Sequence, residues 1–370
     1  MNVIYIWQRK GWPHFDWNIE QISYKLARIR HLQGHLIGVM SMAGFDLKKI
    51  TELEALSNDI VNSSEIEGEF LDKAQVRSSV ARHLGLEIDG LPNADRYIDG
   101  VVQLMMDATE NYQEPLTEER LFGWHSALFP TGRSGMFKIT VGNWRQGDEP
   151  MQVVSGPMGR ERIHYEAPNS SNVAAEMKLF LEWCNQQEAI DPVIKAAIAH
   201  IWFVTIHPFD DGNGRITRTI TDLFLTRADE LPQRFYSMSA EIRKRKKQYY
   251  EILEKTQKGD LDITDWLEWF LDCLESALLE TRQVVANIMK KASFWDHHRT
   301  TPMNERQIKI VNMLWDGFEG KLTTSKWAKI AKCSSDTALR DIRDLLDKQV
   351  LRKTDEVGRN TNYEIFIKNK

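Results

Sequence analysis

The sequence predicts a mainly α-helical fold with one inserted β-hairpin and a small mixed domain at its end. Three observations carry that expectation. Most of the chain from Asn18 to Lys258 reads at helical period, with short breaks at Gly85, Gly90–Pro92 and Pro115. Between Gly142 and Pro168 the period changes. There Met151-Gln152-Val153-Val154 and Arg162-Ile163-His164-Tyr165 flank Ser155–Glu161, a run rich in turn formers, and together they read as a hairpin. Finally, Val193–Ile206 is apolar nearly all round, the mark of a helix buried on every side.

Residues 3–17 are dense in aromatics and contain Pro13, so they read as an extended arm packed on the body. A helix follows from about Asn18 to Met42. The next spans Thr51 to Glu67, with Gly68 as its stop. Its apolar stripe is Leu53, Leu56 and Ile60, and helical spacing continues it to Ser63 and Glu67. An acid there sits on the buried side and at the C-terminal end, where the helix dipole disfavours it. Either it meets a cation, or the stripe ends earlier and Glu67 faces water.

Asp191 and Pro192 form a helix start, N-cap then N1. The apolar helix that follows stops at His207, because Pro208 disfavours helical backbone in the residue before it. His200, within that helix, reads as a satisfied core histidine rather than a catalytic group.

The chain is organised around His207-Pro208-Phe209-Asp210-Asp211-Gly212-Asn213-Gly214-Arg215-Ile216-Thr217-Arg218. Gly212 and Gly214 can take positive φ, and Asn213 tolerates it. Successive N–H groups in such a turn, with a helix beginning at Arg215, make a concavity for phosphate. Arg215 and Arg218 lie where the dipole disfavours cations; being three apart they share an edge, and two phosphate groups would answer both. Asp211 sets a carboxylate beside the turn, and Mg²⁺ takes one or two carboxylates plus substrate phosphates. His207 is the one group in the stretch whose ordinary pKa suits general-base work near neutrality.

Composition sets the frame. The chain has 370 residues, 27 % of them charged and 42 % apolar, which is ordinary for a globular protein of two or three domains. A net charge of −5 argues against nucleic-acid binding through overall charge. Cys184, Cys273 and Cys333 are far apart and make no metal or redox spacing. With no signal peptide in Met1–Trp17 and no bilayer-length apolar run, the expectation is a cytoplasmic protein with no membrane partner.

His207–Arg218 closely resembles the signature of the Fic family, His-Pro-Phe-x-(Asp/Glu)-Gly-Asn-Gly-Arg-x-x-Arg, with every fixed position filled. Ser63-Ser64-Glu65-Ile66-Glu67-Gly68 resembles the family's inhibitory motif, (Ser/Thr)-x-x-x-Glu-(Gly/Asn). The resemblance, over about residues 50–290, implies a helical core with the hairpin as a flap over the active site, and transfer of AMP from Mg-ATP to a Ser, Thr or Tyr hydroxyl of a target protein or of the chain itself. It implies that His207 accepts the hydroxyl proton and Asp211 holds Mg²⁺. Gly212, Asn213 and Gly214 would stabilise charge on the α-phosphate, and Arg215 and Arg218 would bind the β- and γ-phosphates. It also implies that Glu67, with Ser63 in its motif, pairs with Arg218 and fills the space of the γ-phosphate. Gly142-Asn143-Trp144-Arg145 is similar to a family segment just before the flap, whose edge could hold an extended target by strand addition.

Glu241 to Lys258 reads as one further helix, and its Arg243–Lys247 run as a solvated face. Tyr249 or Tyr250 with Leu253 could sandwich a base or simply pack in the core; the family's adenine-contacting positions correspond to Tyr250, Leu253 and Gln257. After a linker at Arg299–Pro302, Asn304–Asp316, Thr324–Lys332 and Ser335–Gln349 read as helices. Val350–Thr354, a turn at Gly358–Asn360 and Thr361–Ile367 read as a hairpin, and the whole resembles a winged helix-turn-helix. Its third helix carries Asp336, Asp341, Asp344 and Asp347 against Arg340, Arg343 and Lys348, so protein contact or a homodimer is favoured over DNA. The expected organisation is an N-terminal helical region at 1–100 with the inhibitory helix at about 51–68, a catalytic core at 101–295 and a winged-helix domain at 303–370. The alternatives are a nucleotide-sensing DNA-binding regulator, or removal of AMP at the same site.

Overall fold

A computed structural model describes residues 3–86, 92–157, 159–315, 318, 320–354 and 361–366. It divides into two compact units, Met1–Arg282 and Gln283–Lys370.

In the first unit the arm makes a short 3-10 turn at Ile6–Gln8 and sends its rings inward. Trp12 and Phe15 meet Trp202 edge-on, with centroids 6.2 and 6.0 Å away. Helix α1, Ile19–Met42, is capped by Asn18, whose Oδ1 accepts from the amides of Glu20 and Gln21. Helix α2, Phe45–Ile66, begins at Phe45 rather than Thr51, because nothing after Gly44 interrupts the helix. Leu53, Leu56 and Ile60 are buried, and Gly68, at φ +85°, ends the helix. Helices α3, Lys73–His83, α4, Arg96–Glu110, and α5, Glu118–Leu128, start at Asp72, Asp95 and Thr117, each an N-cap that accepts from its first turn. Of the expected breaks, Gly90 and Leu91 lie outside the described residues.

Strands β1, Arg133–Ser134, and β2, Phe137–Lys138, form a small hairpin the sequence did not announce; two-residue strands carry no readable period. The expected hairpin is present as β3, Gln152–Ser155, and β4, Arg162–Glu166, antiparallel with a register shift between Val153 and Val154. Met158, in its turn, lies outside the described residues.

Helix α6, Ser170–Asn185, leads to α7, Pro192–Ile206, which packs along α8, Asn213–Asp229, to form the centre of the unit. The expected single helix Glu241–Lys258 is corrected to two, α9, Met238–Lys244, and α10, Lys246–Gln257. The break is at Arg245, whose guanidinium reaches Ser276 Oγ at 2.7 Å; no glycine or proline marks it. The start of α9 is pinned to α2 by Asp59, which accepts from Ser237 Oγ and the Ser239 amide at 2.7 and 2.8 Å. The basic run is ion-paired: Arg243 with Glu65, and Lys244 with Glu241 at 2.7 Å. Helix α11 spans Thr264–His297.

The second unit contains α12, Glu305–Trp315, α13, Thr324–Ala331, α14, Ser335–Asp347, and the antiparallel pair β5, Leu351–Lys353, and β6, Tyr363–Ile365. Ile310, Val311, Trp327, Ile342, Leu345 and Val350 form its core. On α14, Asp341 pairs with Arg306 at 3.0 Å and Asp344 with Lys348 at 2.6 Å, while Arg340 and Arg343 are exposed. Asp316, Gly358–Asn360 and Ile367, which figured in the expected helix end, turn and strand, lie outside the described residues.

Candidate active site

The loop between α7 and α8 hangs from the centre of the first unit. His207 caps α7 in the left-handed conformation, φ +52°, rather than the extended one usual before proline. Its carbonyl accepts from Arg145 Nε at 2.8 Å, and the Arg145 amide donates to the Pro208 carbonyl at 2.8 Å. Phe209 is fully buried and stacks on His125, with centroids 4.2 Å apart. Asn213 closes the loop on itself: its Oδ1 accepts from the Phe209 amide at 2.9 Å and its Nδ2 donates to the Phe209 carbonyl at 2.7 Å. His125 Nε2 donates to the Asp211 carbonyl at 3.1 Å, leaving Nδ1 to accept from the Gly142 amide. Burial pushes His125 down to about 4, so it braces the loop as a neutral ring.

This loop forms one wall of a cavity of about 850 Å³, with the flap and α10 as the others. His207 Nδ1 donates to the Val204 carbonyl at 3.2 Å, which leaves Nε2 as the acceptor. Burial holds its pKa below the ordinary 6.5, partly offset by the Val204 bond. Asp211 Oδ1 accepts from the Gly212 amide at 2.6 Å and Oδ2 from Ser134 Oγ, so its carboxylate is oriented on two sides. Asp210 is used elsewhere, accepting from the Thr140 amide at 2.8 Å. Tyr250, Leu253 and Gln257 of α10 all line the cavity, with Tyr249 beside them. Tyr249 is buried and bonded to His200, whose other nitrogen meets Thr221. The Tyr250 phenol, pushed up to about 12 by burial and by Glu67, donates to the Ile66 carbonyl at 3.3 Å.

Two readings of the loop need correction. Of the two glycines only Gly212 has positive φ, at +79°; Gly214 is helical, because α8 begins at Asn213 rather than Arg215. What Gly214 supplies is the lack of a side chain: a Cβ there would collide with the Glu67 carboxylate. The two arginines do not share a destination either. Arg218, 1 % exposed, donates to Ser63 Oγ at 2.8 Å, to the Ser63 carbonyl at 2.9 Å and to Glu67 Oε1 at 2.8 Å. Arg215 Nη1 donates to Glu69 Oε2 at 2.6 Å and to Tyr97 Oη at 2.7 Å. Glu67 therefore meets a cation, and it, not either arginine, is among the residues lining the cavity. Sequence reasoning missed Glu69, Tyr97, Ser134 and His125; Glu69 and Ser134 sit in aperiodic segments, while Tyr97 and His125 are single side chains on ordinary helices.

Residues 115–225 match the Fic/DOC family, and they contain the whole loop, all of α7 and most of α8. The chain carries a Fic domain. Residues 5–86, ahead of it, match DUF4172, a domain of unknown function. The chain is 27 % identical over 231 residues to the protein adenylyltransferase Fic of Drosophila mojavensis, covering 61 % of this chain and 41 % of that protein. With the protein adenylyltransferase Fic of Aedes aegypti the figures are 27 % over 241 residues, 62 % and 42 %. The chain thus spans about two-fifths of the length of these relatives. A Fic family protein from Desulfovibrio desulfuricans G20 shares the fold with a TM-score of 0.52 at 21 % identity, covering 95 % of this chain and 97 % of that one. Fic-1 of C. elegans, residues 134–508, does so with a TM-score of 0.50 at 20 % identity over 74 % and 75 %. Among the described residues no helix is long and apolar enough to cross a membrane.

Proposed function

We propose that the protein is an autoinhibited adenylyltransferase that moves AMP from Mg-ATP to a hydroxyl of a protein. The observation that carries this reading is a neutral, oriented imidazole and an oriented carboxylate on one cavity wall, beside the start of α8. His207 Nε2 takes the proton of the acceptor hydroxyl as its oxygen bonds to the α-phosphorus, and pyrophosphate leaves. The amides at the start of α8, with the helix dipole, face the charge that develops. Leu253, Tyr250 and Gln257 hold the base, and the flap aligns the target.

Among the described residues no group of three or more His, Cys, Asp or Glu could hold a metal ion. Asp211 fits an ion that arrives with the nucleotide: one carboxylate, pre-oriented by the Gly212 amide and Ser134, with phosphate oxygens completing the set. The ion would neutralise phosphate charge when bound.

Inhibition rests on Glu67, which occupies Arg218 and closes over Gly214. With that guanidinium taken, the nucleotide's terminal phosphate loses its partner and the α-phosphorus falls out of line, which costs orders of magnitude in rate. The alternative of a DNA-binding regulator draws little support from α14, where acid slightly exceeds base. Incubation with labelled ATP and a cell lysate tests the reading: label on protein, dependent on His207, supports it, and label-free protein with intact ATP binding contradicts it.

A further inference from the structure

The cavity holds a second imidazole positioned against a hydroxyl. Ser155 ends β3, and its Oγ lies 2.5 Å from His164 Nε2 of β4. His164 Nδ1 lies 2.6 Å from Glu254 Oε2 of α10. Burial works against the Glu254 charge, yet bonds from Lys258, His164 and Arg162 hold its carboxyl at about 2. A carboxylate only accepts, so Nδ1 carries the ring hydrogen. In the neutral ring Nε2 then presents its lone pair to the Ser155 O–H. Hydroxyl, imidazole and carboxylate in this order are the arrangement that activates serine nucleophiles.

Anchoring the flap does not require it. Arg162 Nη2 already reaches Glu254 at 2.9 Å, and Lys258 Nζ fixes the same carboxylate at 2.6 Å. Ser155 is exposed, so water could satisfy its hydroxyl without help from the histidine. Ser155, His164 and Glu254 all line the cavity that His207 and Asp211 line.

We propose that Ser155 is a self-modification site, an acceptor of AMP from the nucleotide bound in this cavity. This rests on the transferase reading above and names one substrate hydroxyl. Ser155 Oγ bonds to the α-phosphorus, and at this one acceptor the proton passes to His164 Nε2 rather than to His207, the resulting charge being offset by Glu254. The bond from the α-phosphorus to the oxygen bridging to the β-phosphate breaks, and its electron pair leaves with pyrophosphate. The product carries a nucleotide at the flap, on the edge where a target would dock, so modification here would also lower transfer to other proteins.

The test is peptide mapping by mass spectrometry of the full chain, and of its Glu67→Gly variant, after incubation with Mg²⁺ and ATP. The expected result is one AMP on the peptide containing Ser155, absent in Ser155→Ala. His164→Gln is expected to slow labelling at Ser155 about a hundredfold and labelling elsewhere far less, with a thermal melt as the control for folding. Label at other residues or on lysate proteins but never at Ser155 overturns this inference and leaves the transferase reading standing. No label on any protein overturns both. Equal Ser155 labelling in His164→Gln removes His164 as the base and with it the argument from geometry.

Discussion

Arg218 and Arg215 leave α8 one turn apart, and each ends on a glutamate from the close of α2, yet they are held differently. Arg218 is gripped by Ser63 through both hydroxyl and carbonyl as well as by Glu67, all at the end of a regular helix. Arg215 is held by Glu69, beyond the Gly68 stop, by the Tyr97 phenol of α4, and by the Phe129 ring at 5.0 Å. The Glu67 side chain is 32 % exposed and that of Glu69 42 %. One clamp therefore belongs to a rigid element and borders the cavity, while the other sits on a loop, is more open to water and draws on partners from three separate segments. The difference teaches that equal pairing does not mean equal control. A glutamate on a helix end restrains both the arginine and the loop beneath it, through the close approach to Gly214. A glutamate on a loop restrains only its arginine.

The largest effect tests whether the loop under both clamps does the chemistry. His207→Ala should lower AMP transfer to lysate proteins at least a hundredfold while ATP affinity, measured by calorimetry, changes little. Near wild-type transfer would falsify the assignment of His207. Asp211→Ala should suppress transfer strongly and Asp210→Ala much less, because the Asp210 carboxylate is already spent on the Thr140 amide. The reverse order in measured rates would put the metal ligand one residue out of register.

The comparison itself is sharpened by removing each glutamate. Glu67→Gly should raise transfer at least about tenfold; tenfold asks for only about 1.4 kcal/mol of barrier, within reach of one charge-assisted bond. Glu69→Ala should raise it about threefold at most, the range of a partly exposed ion pair. Equal activation by both, in parallel initial-rate measurements, would erase the distinction between the clamps.

The pH dependence follows from buried rings. His125 and His200 are held near 4 and 3, against an ordinary 6.5. Their folded pKa values lie below the unfolded one, so their contribution is complete above pH 6.5 and is lost as pH falls toward 4. By pH 5 each removes about 2 kcal/mol, so a melting temperature flat from pH 7 to 5 would contradict their burial as neutral rings. His207, also lowered, should put the acid limb of the transfer rate below pH 6.5.

Much of the site was legible. The signature loop follows from its glycines, its proline and the apolar helix before it. The spacing of Leu53, Leu56 and Ile60 carries the stripe to Glu67 but left open whether it met a cation or water; the family resemblance named Arg218 as its partner. Glu69 had no such frame: past Gly68 the period is lost, and nothing in the sequence aims its side chain at Arg215. Ser155 and His164 meet only because the register slips between Val153 and Val154, and Glu254 reaches them from a helix far along the chain. The Arg245 break escaped because tertiary bonds, rather than glycine or proline, make it. Gly214 was misread because two glycines around an asparagine look alike, whereas one serves the turn and the other serves Glu67.

The central claim is that Glu67 restrains the site by occupying Arg218. Initial rates of AMP incorporation, into lysate proteins and into the chain itself, test it directly for wild type, Glu67→Gly and Arg218→Ala at equal concentration. The account predicts a gain for Glu67→Gly and none for Arg218→Ala, which loses the restraint and the phosphate contact together. Unchanged or lower incorporation with Glu67→Gly, or activation by Arg218→Ala equal to it, would contradict the account.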